Sequence, residues 1–377
     1  MCLRFTRYLY ETSEVKLSLM ISILNKDIDK ALFWAFELFY SGYKKELTKE
    51  LWTIFYDFYA TLNPNFEQYL LTKIKIEIND ALVLGSIIHN LIIRPYNVDV
   101  FILKCINYYD DNPNNPNNPN NPTNENVMID VIKSDNYLKI SNYILNNKSI
   151  DLQKVLNITI QHFADDFNVK LNVTKELTKY NNITKVTFNQ TNERIIVLSR
   201  ILHYFHLKYK TKLGKNIFME INSQDYTQYE TINRSIINPI PAYKILSLAT
   251  KYKIDEEKYL SLFRLKRENN DIVNAYRNNW EYYASFSPIW YKRFHSYNGT
   301  INHSKKVIDF ASDDDQEMFY NEYGLEPDEQ PLYTQQKSID AIKNNRSWLD
   351  FYKKHNLNGL TQLYENVNKI NKIDYTL

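Results

Sequence analysis

Glycine is nearly missing from this chain, with six residues in 377. Phosphate-cradling loops, tight hairpins and dinucleotide folds all exploit glycine's freedom at positive φ, so glycine-dependent cofactor motifs start at a disadvantage. Cysteine is scarcer still, only Cys2 and Cys105. No CxxC pair exists, so neither a thiolate-rich zinc site nor a disulfide framework is expected. No run of about 18 apolar residues occurs, so no bilayer span and no membrane partner is expected. The amino terminus MCLRFTRYLYETSEVK is charged and too broken for a secretory h-region, which suits an intracellular, reduced protein. The sequons at Asn157-Ile-Thr159 and Asn182-Ile-Thr184 then read as chance products of asparagine-rich text. An excess of one charge is also lacking: 46 Lys and Arg face 44 Asp and Glu, a net of +2. Any role with nucleic acid must therefore be local. GxxxxGK[ST], HExxH, GxSxG and Cys/His zinc patterns are all absent, so no catalytic residue, metal or cofactor is assigned.

The chain does contain 44% hydrophobic and 24% charged residues, a globular balance, with room for one large or two ordinary domains. Asn, Lys, Ile and Tyr abound, as AT-rich coding DNA produces, and NPNNPNNPNNP at 112–122 resembles slippage in such DNA. The array 110–126 cannot bury anything, and its prolines block helix and sheet ladders, so a disordered Asn/Pro loop is expected there. It either divides an N-terminal helical region (1–109) from a C-terminal one (127–377) or is inserted within one continuous domain. The second is favoured because hydrophobic helical text resumes on each side.

This style, with the segments ALFWAFELFYSGY and FYNEYGLEPDEQP, resembles uncharacterised proteins of mimivirus-like giant DNA viruses. The resemblance implies a viral origin and a place in the host cytoplasm, and carries no activity. DIDKALFWAFELFYSG also resembles the carboxyl-terminal helical part of clamp-loader-like ATPases, but without a phosphate loop no ATPase activity follows.

Caps and periodicity give a mainly α chain, an irregular array of helical hairpins. Ser13 and Glu14 open a helix ending near Asn25. Others are expected from Asp27 to Tyr40, Lys44 to Leu62, Asn65 onward, Ala81 to Ile93 and Val98 to Tyr108. After the loop come Asp130 to Leu145, Asp151 to Asp165, Asn192 to Tyr209, Pro241 to Lys251, Asp255 to Arg267, Asn270 to Tyr283, Ser338 to Asn344, Ser347 to Lys354 and Leu360 to Ile370. Only 183–188 (ITKVTF) and 216–221 (NIFMEI) read as a small β element, while 71–80 fits either a strand or a helical stripe.

Six aromatics crowd 31–43. On a helical wheel that helix is apolar nearly all round, with Lys30 and Glu37 marking its only exposed strip, so it reads as buried. In the next helix Lys49, Glu50, Thr53 and Asp57 form a solvated strip. Trp52, Tyr56 and Tyr59 flank it, either packing on a neighbour or stacking bases or a partner helix.

Charge carries the functional signals. Between Arg194 and Met219 no acid occurs, while Arg194, Arg200, Lys208, Lys210, Lys212 and Lys215 interleave with Tyr204, Phe205 and Tyr209. Such a stretch suits anion or nucleic-acid binding, or else pairs with distant acids. His203 and His206 share a helical face but lack further local ligands, so no metal is assigned. From Asp309 to Gln336 nine acids occur with no base. This segment reads as a solvated loop, or as a docking site for a basic partner through Asp313, Asp314, Asp315, Glu317, Phe319, Tyr320 and Tyr323. The expectation is a non-enzymatic scaffold or adaptor with a protein partner. A nucleic-acid-associated factor is the alternative, and an enzyme of unrecognised type the weaker one.

Overall fold

The computed structural model describes residues 4–107, 125–147, 149–167, 169–187, 193–230, 278–323 and 348–361. The helices expected at Pro241–Lys251, Asp255–Arg267 and Ser338–Asn344 lie outside them, as do most of Asn270–Tyr283, Leu360–Ile370 beyond Thr361, and 110–124 of the Asn/Pro array.

Acidic side chains start the first helices. Glu11 accepts from the backbone N–H groups of Ser13 and Glu14 to open α1 (Thr12–Leu24), one turn's edge earlier than the Ser13 start read from sequence. Asp27 caps α2 (Ile28–Tyr40), and the two helices pack as a hairpin. Helix α3 (Lys44–Ile54) runs into a π turn, Phe55–Tyr59, closed by Ala60 N–H on Phe55 O at 2.8 Å. Pro64 begins α4 (Pro64–Lys73), Asp80 caps α5 (Ala81–Ile93), and α6 (Asp99–Asn107) follows. Residues 74–80 are neither strand nor helix, although Ile74 and Ile78 are buried.

Glu125 and Asn126, read as loop, already belong to α7 (Glu125–Lys133). The single helix expected over Asp130–Leu145 breaks at Asp135, which takes a positive φ of 49°, and restarts as α8 (Tyr137–Asn146) under an Asn136 cap. Then come α9 (Leu152–Asp166), α10 (Val173–Thr187), α11 (Glu193–Lys208) and the short α12 (Gln224–Glu230). Helix α11 is the axle of the large core, packed against α6, α8, α9 and the π turn, with Ile196–Ser199, Ile201, Leu202 and Tyr204–His206 all buried.

A smaller core lies toward the C-terminal side. Helices α13 (Trp280–Ala284) and α14 (Pro288–Ser296) lead into an antiparallel hairpin, β1 (Thr300–Asn302) with β2 (Val307–Asp309), pairing Ile301 with Ile308. Helix α15 (Asp313–Tyr323) closes this unit by placing Phe319 among Trp280, Trp290 and Phe294. The N-terminal segment stitches the two cores together. Phe5 and Leu9 pack in the smaller one, Trp290 Nε1 donates to Thr6 O at 2.9 Å, and Tyr43 OH donates to Phe5 O. Helix α16 (Trp348–His355) returns to the large core through Phe351 and Tyr352.

The mainly α class holds, with a small β element, but that element is not where the sequence placed it. Residues 183–187 finish α10, where Tyr180 and Ile183 share a buried stripe and packing overrides β-branched preference. Residues 217–221 run beside α5 with neither helix nor a partner strand among the described residues, after a bend at Asn216. Two readings of exposure are also corrected. Glu37 is not on an exposed strip: it is 0% exposed and pairs with Arg7 at 2.9 Å. Arg7 in turn donates to the carbonyls of Tyr229 and Glu230 at the end of α12 and lies against the rings of Tyr8 and Tyr40. Asp57 is not solvated but buried against Lys104, because the extra residue of the π turn rotates it inward. Trp52, Tyr56 and Tyr59 are all buried, so that flanking stripe is packing and offers no stacking face.

Candidate interaction surfaces

The six cations of 194–215 divide into two groups. Arg194 Nη1 donates to Ile144 O and Asn147 O, satisfying carbonyls at the end of α8, the place where a cation complements a helix dipole. Arg200 lies inside, its Nη2 2.5 Å from Glu67 Oε2 and its Nη1 3.6 Å from Glu176 Oε2. Tyr56 OH donates to the other Glu67 oxygen at 3.0 Å. Lys208 pairs with Asp135 at 2.8 Å and sits 3.9 Å from the centre of the Phe167 ring. Lys210, Lys212 and Lys215 are exposed and make no ion pair among the described residues. They border the last turn of α11 and the extended chain that follows.

His203 and His206 do not converge. His203 Nδ1 contacts Thr61 O at 2.8 Å, whereas His206 Nε2 contacts Asn97 Nδ2 at 3.0 Å, with Asp99 at 3.8 Å. Burial pulls both imidazoles down to about 4. No group of three or more His, Cys, Asp or Glu able to hold a metal occurs among the described residues.

A dense gathering of ionisable groups, Glu67, Glu176, Arg200 and His203 beside Tyr204, was not read from the sequence. Its members come from α4, α10 and α11, and no local pattern joins them. The cavity among them measures only about 20 Å³, on the scale of a single water. A larger open cleft of about 510 Å³ lies between α2, α12 and α14, lined by Tyr40, Lys44, Asp80, Tyr226, Glu230 and Lys292 among others. Burial pushes the Tyr40 phenol up to about 12, so it stays neutral. The described lining includes no serine, cysteine or histidine.

Of the acidic stretch read as a solvated loop, Asp313–Tyr323 is helical, while 324–336 lies outside the described residues. Asp313, Asp314 and Asp315 occupy the first turn of α15, where negative charge is favoured. Asp315 accepts from Asn298 Nδ2 and from Ser312 Oγ, locking that turn. Phe319 is fully buried, while Tyr320 and Tyr323 are half-buried beside it, Tyr320 OH donating to Glu281 at 2.5 Å. Asp313, Asp314, Glu317 and Glu322 remain exposed on the outward half around Met318, itself 51% exposed. The aromatic members expected to bind a partner thus anchor the helix, and the acids face out.

Beyond Gly214 the chain lies antiparallel to α5 as a strap. Arg94 Nη2 donates to Ile217 O, Asn90 Nδ2 to Met219 O, and Ile221 N–H donates to Ser86 Oγ. Met219 N–H also donates to Asn90 Oδ1 at 3.0 Å, so one buried amide side chain serves both backbone groups of Met219. Residues four apart on a helix rise about 6 Å, and residues two apart in an extended chain about 6.6 Å. That match lets 86, 90 and 94 address 221, 219 and 217. The alternation in NIFMEI was therefore real, but its partner is a helix face. Asn90→Leu leaves both Met219 groups unpaired, and urea unfolding should show a loss of about 2–3 kcal/mol.

No family model, no curated protein and no solved structure matches this chain.

Proposed function

We propose that this protein is a non-enzymatic helical scaffold that binds a protein partner through the acidic outward face of α15. The observation that carries the reading is the division of labour in that helix. Phe319 fixes it to the Trp290 core, while Asp313, Asp314, Glu317 and Glu322 surround the exposed Met318. A rigid acidic face with one apolar centre suits a basic, partly apolar surface on another protein. The spending of the buried ionisable groups on one another supports the same reading. The setting is intracellular, and the host cytoplasm if the chain is viral. Among the described residues no helix is long and apolar enough to cross a membrane.

Deleting the segment would remove Phe319 and unfold its core, so charge reversal is the sharper test. Affinity purification of the full chain from its native cells should recover a partner that D313K/D314K/E317K/E322K loses while circular dichroism is unchanged. Partner recovery indifferent to the reversal would refute the assignment of this face.

A second reading, a nucleic-acid-associated factor, is favoured by Lys210, Lys212 and Lys215, which stand exposed without counter-charge. On that reading single-stranded RNA or DNA binds at low salt, weakens as salt rises, and is lost in K210E/K212E/K215E. Lys208 is left out because reversing it would break its pair with Asp135.

A further inference from the structure

In an extended chain alternate residues point their backbone groups to opposite sides. The strap gives one side to α5, through Ile217, Met219 and Ile221. The other side belongs to Phe218 and Glu220, whose backbone N–H and C=O groups make no hydrogen bond among the described residues. A row of unpaired donors and acceptors along an extended segment is a template for another strand. We propose that residues 217–220 form a free strand edge to which a partner protein adds an extended, acidic segment. This surface is separate from the acidic face of α15, and either can fail without the other.

Three observations define the occupant. Only an extended chain repeats its donors and acceptors at the spacing of Phe218 and Glu220; a helix has spent these groups internally. Lys210, Lys212 and Lys215 lead into the edge unpaired, and the single acid at its end, Glu220, is held by Lys73 at 2.8 Å. Charge complementarity therefore calls for carboxylates on the incoming segment. Beside the edge, Ile217 and Met219 are 56% and 42% exposed and offer apolar cross-strand neighbours. A base finds less here: Phe218 lies parallel to Tyr69 at 4.7 Å and has the Arg94 guanidinium 5.0 Å from its ring centre.

The test is a displayed library of extended peptides selected against the full chain, then measured on two variants. Glu220→Pro removes an outward N–H and leaves the inward bonds to Ser86, Asn90 and Arg94 in place. Glu220→Ala removes the carboxylate but keeps the N–H. Binders should alternate apolar and acidic residues, lose about tenfold or more in affinity on E220P, and stay within about twofold on E220A. They should also weaken on K210E/K212E/K215E, and hydrogen exchange should show new protection at Phe218 and Glu220. Unchanged helicity and unchanged Met219 protection in free E220P establish that it folds. The proposal is overturned if no binder emerges, or if binders are helical or ignore E220P. It is equally overturned if sedimentation shows the chain pairing with itself through this edge, or if a nucleic-acid oligomer protects these amides instead.

Discussion

Acidification from pH 7.5 to 5 is expected to weaken the fold by about 2 kcal/mol for each of three histidines, the buried His206 and His355 and the half-buried His203. Burial pulls His203, His206 and His355 down to about 4, from an ordinary value near 6.5. Between those limits the unfolded chain binds protons that the folded one refuses, so stability falls as pH falls. The geometry agrees with neutral rings. His203 meets the Thr61 carbonyl, His206 faces Asn97 and the more distant Asp99, and His355 Nδ1 lies 2.7 Å from Tyr96 OH, which itself donates to Leu24 O. Glu50, Asp57 and Asp99 run the other way: burial raises them, so they take protons earlier in the folded state and trim the loss. Urea midpoints at pH 7.5, 6 and 5 should fall steeply, and His→Gln variants should flatten the slope. A midpoint constant over that range would contradict the account.

The second large effect belongs to Arg200. Arg200→Met should destabilise by about 3–5 kcal/mol, because it strands Glu67 without a cation, and leaves Glu176 with Lys179 alone, in a place that water reaches poorly. Adding E67Q to that variant should recover most of the loss, since the cost lies in the uncompensated charge of Glu67. Urea unfolding of the series checks both statements. If Arg200→Met cost under about 1 kcal/mol, the cluster would not be structural, and the enzyme reading would regain force.

These clusters also explain how far the sequence could be read. Helices α1 to α6, α9 and α11 were legible because their signals are local: capping Asp27 and Asp80, Pro64 at a first turn, and apolar stripes. The charges misread as solvated share another property, a distant partner. Glu37 finds Arg7 30 residues away, and Asp57 finds Lys104 47 away. A wheel drawn on one helix cannot supply those partners. The strap shows the same limit, its alternation visible but its helix partner not. The hairpin at 300–309 was missed because its strands are three residues each, in text read for its charge. Of the basic stretch, the abundance of cations was legible. Which of them turn inward depended on Ile144, Glu67 and Asp135, on other helices.

The central claim is that the chain works by holding another protein on its outer surface. The most direct measurement is the mass and composition of what co-purifies with the full-length chain from its native cells after nuclease treatment. The account expects a protein partner in fixed stoichiometry, retained after nuclease and absent from D313K/D314K/E317K/E322K. Recovery of the chain alone, or of a complex that dissolves with nuclease, would contradict it.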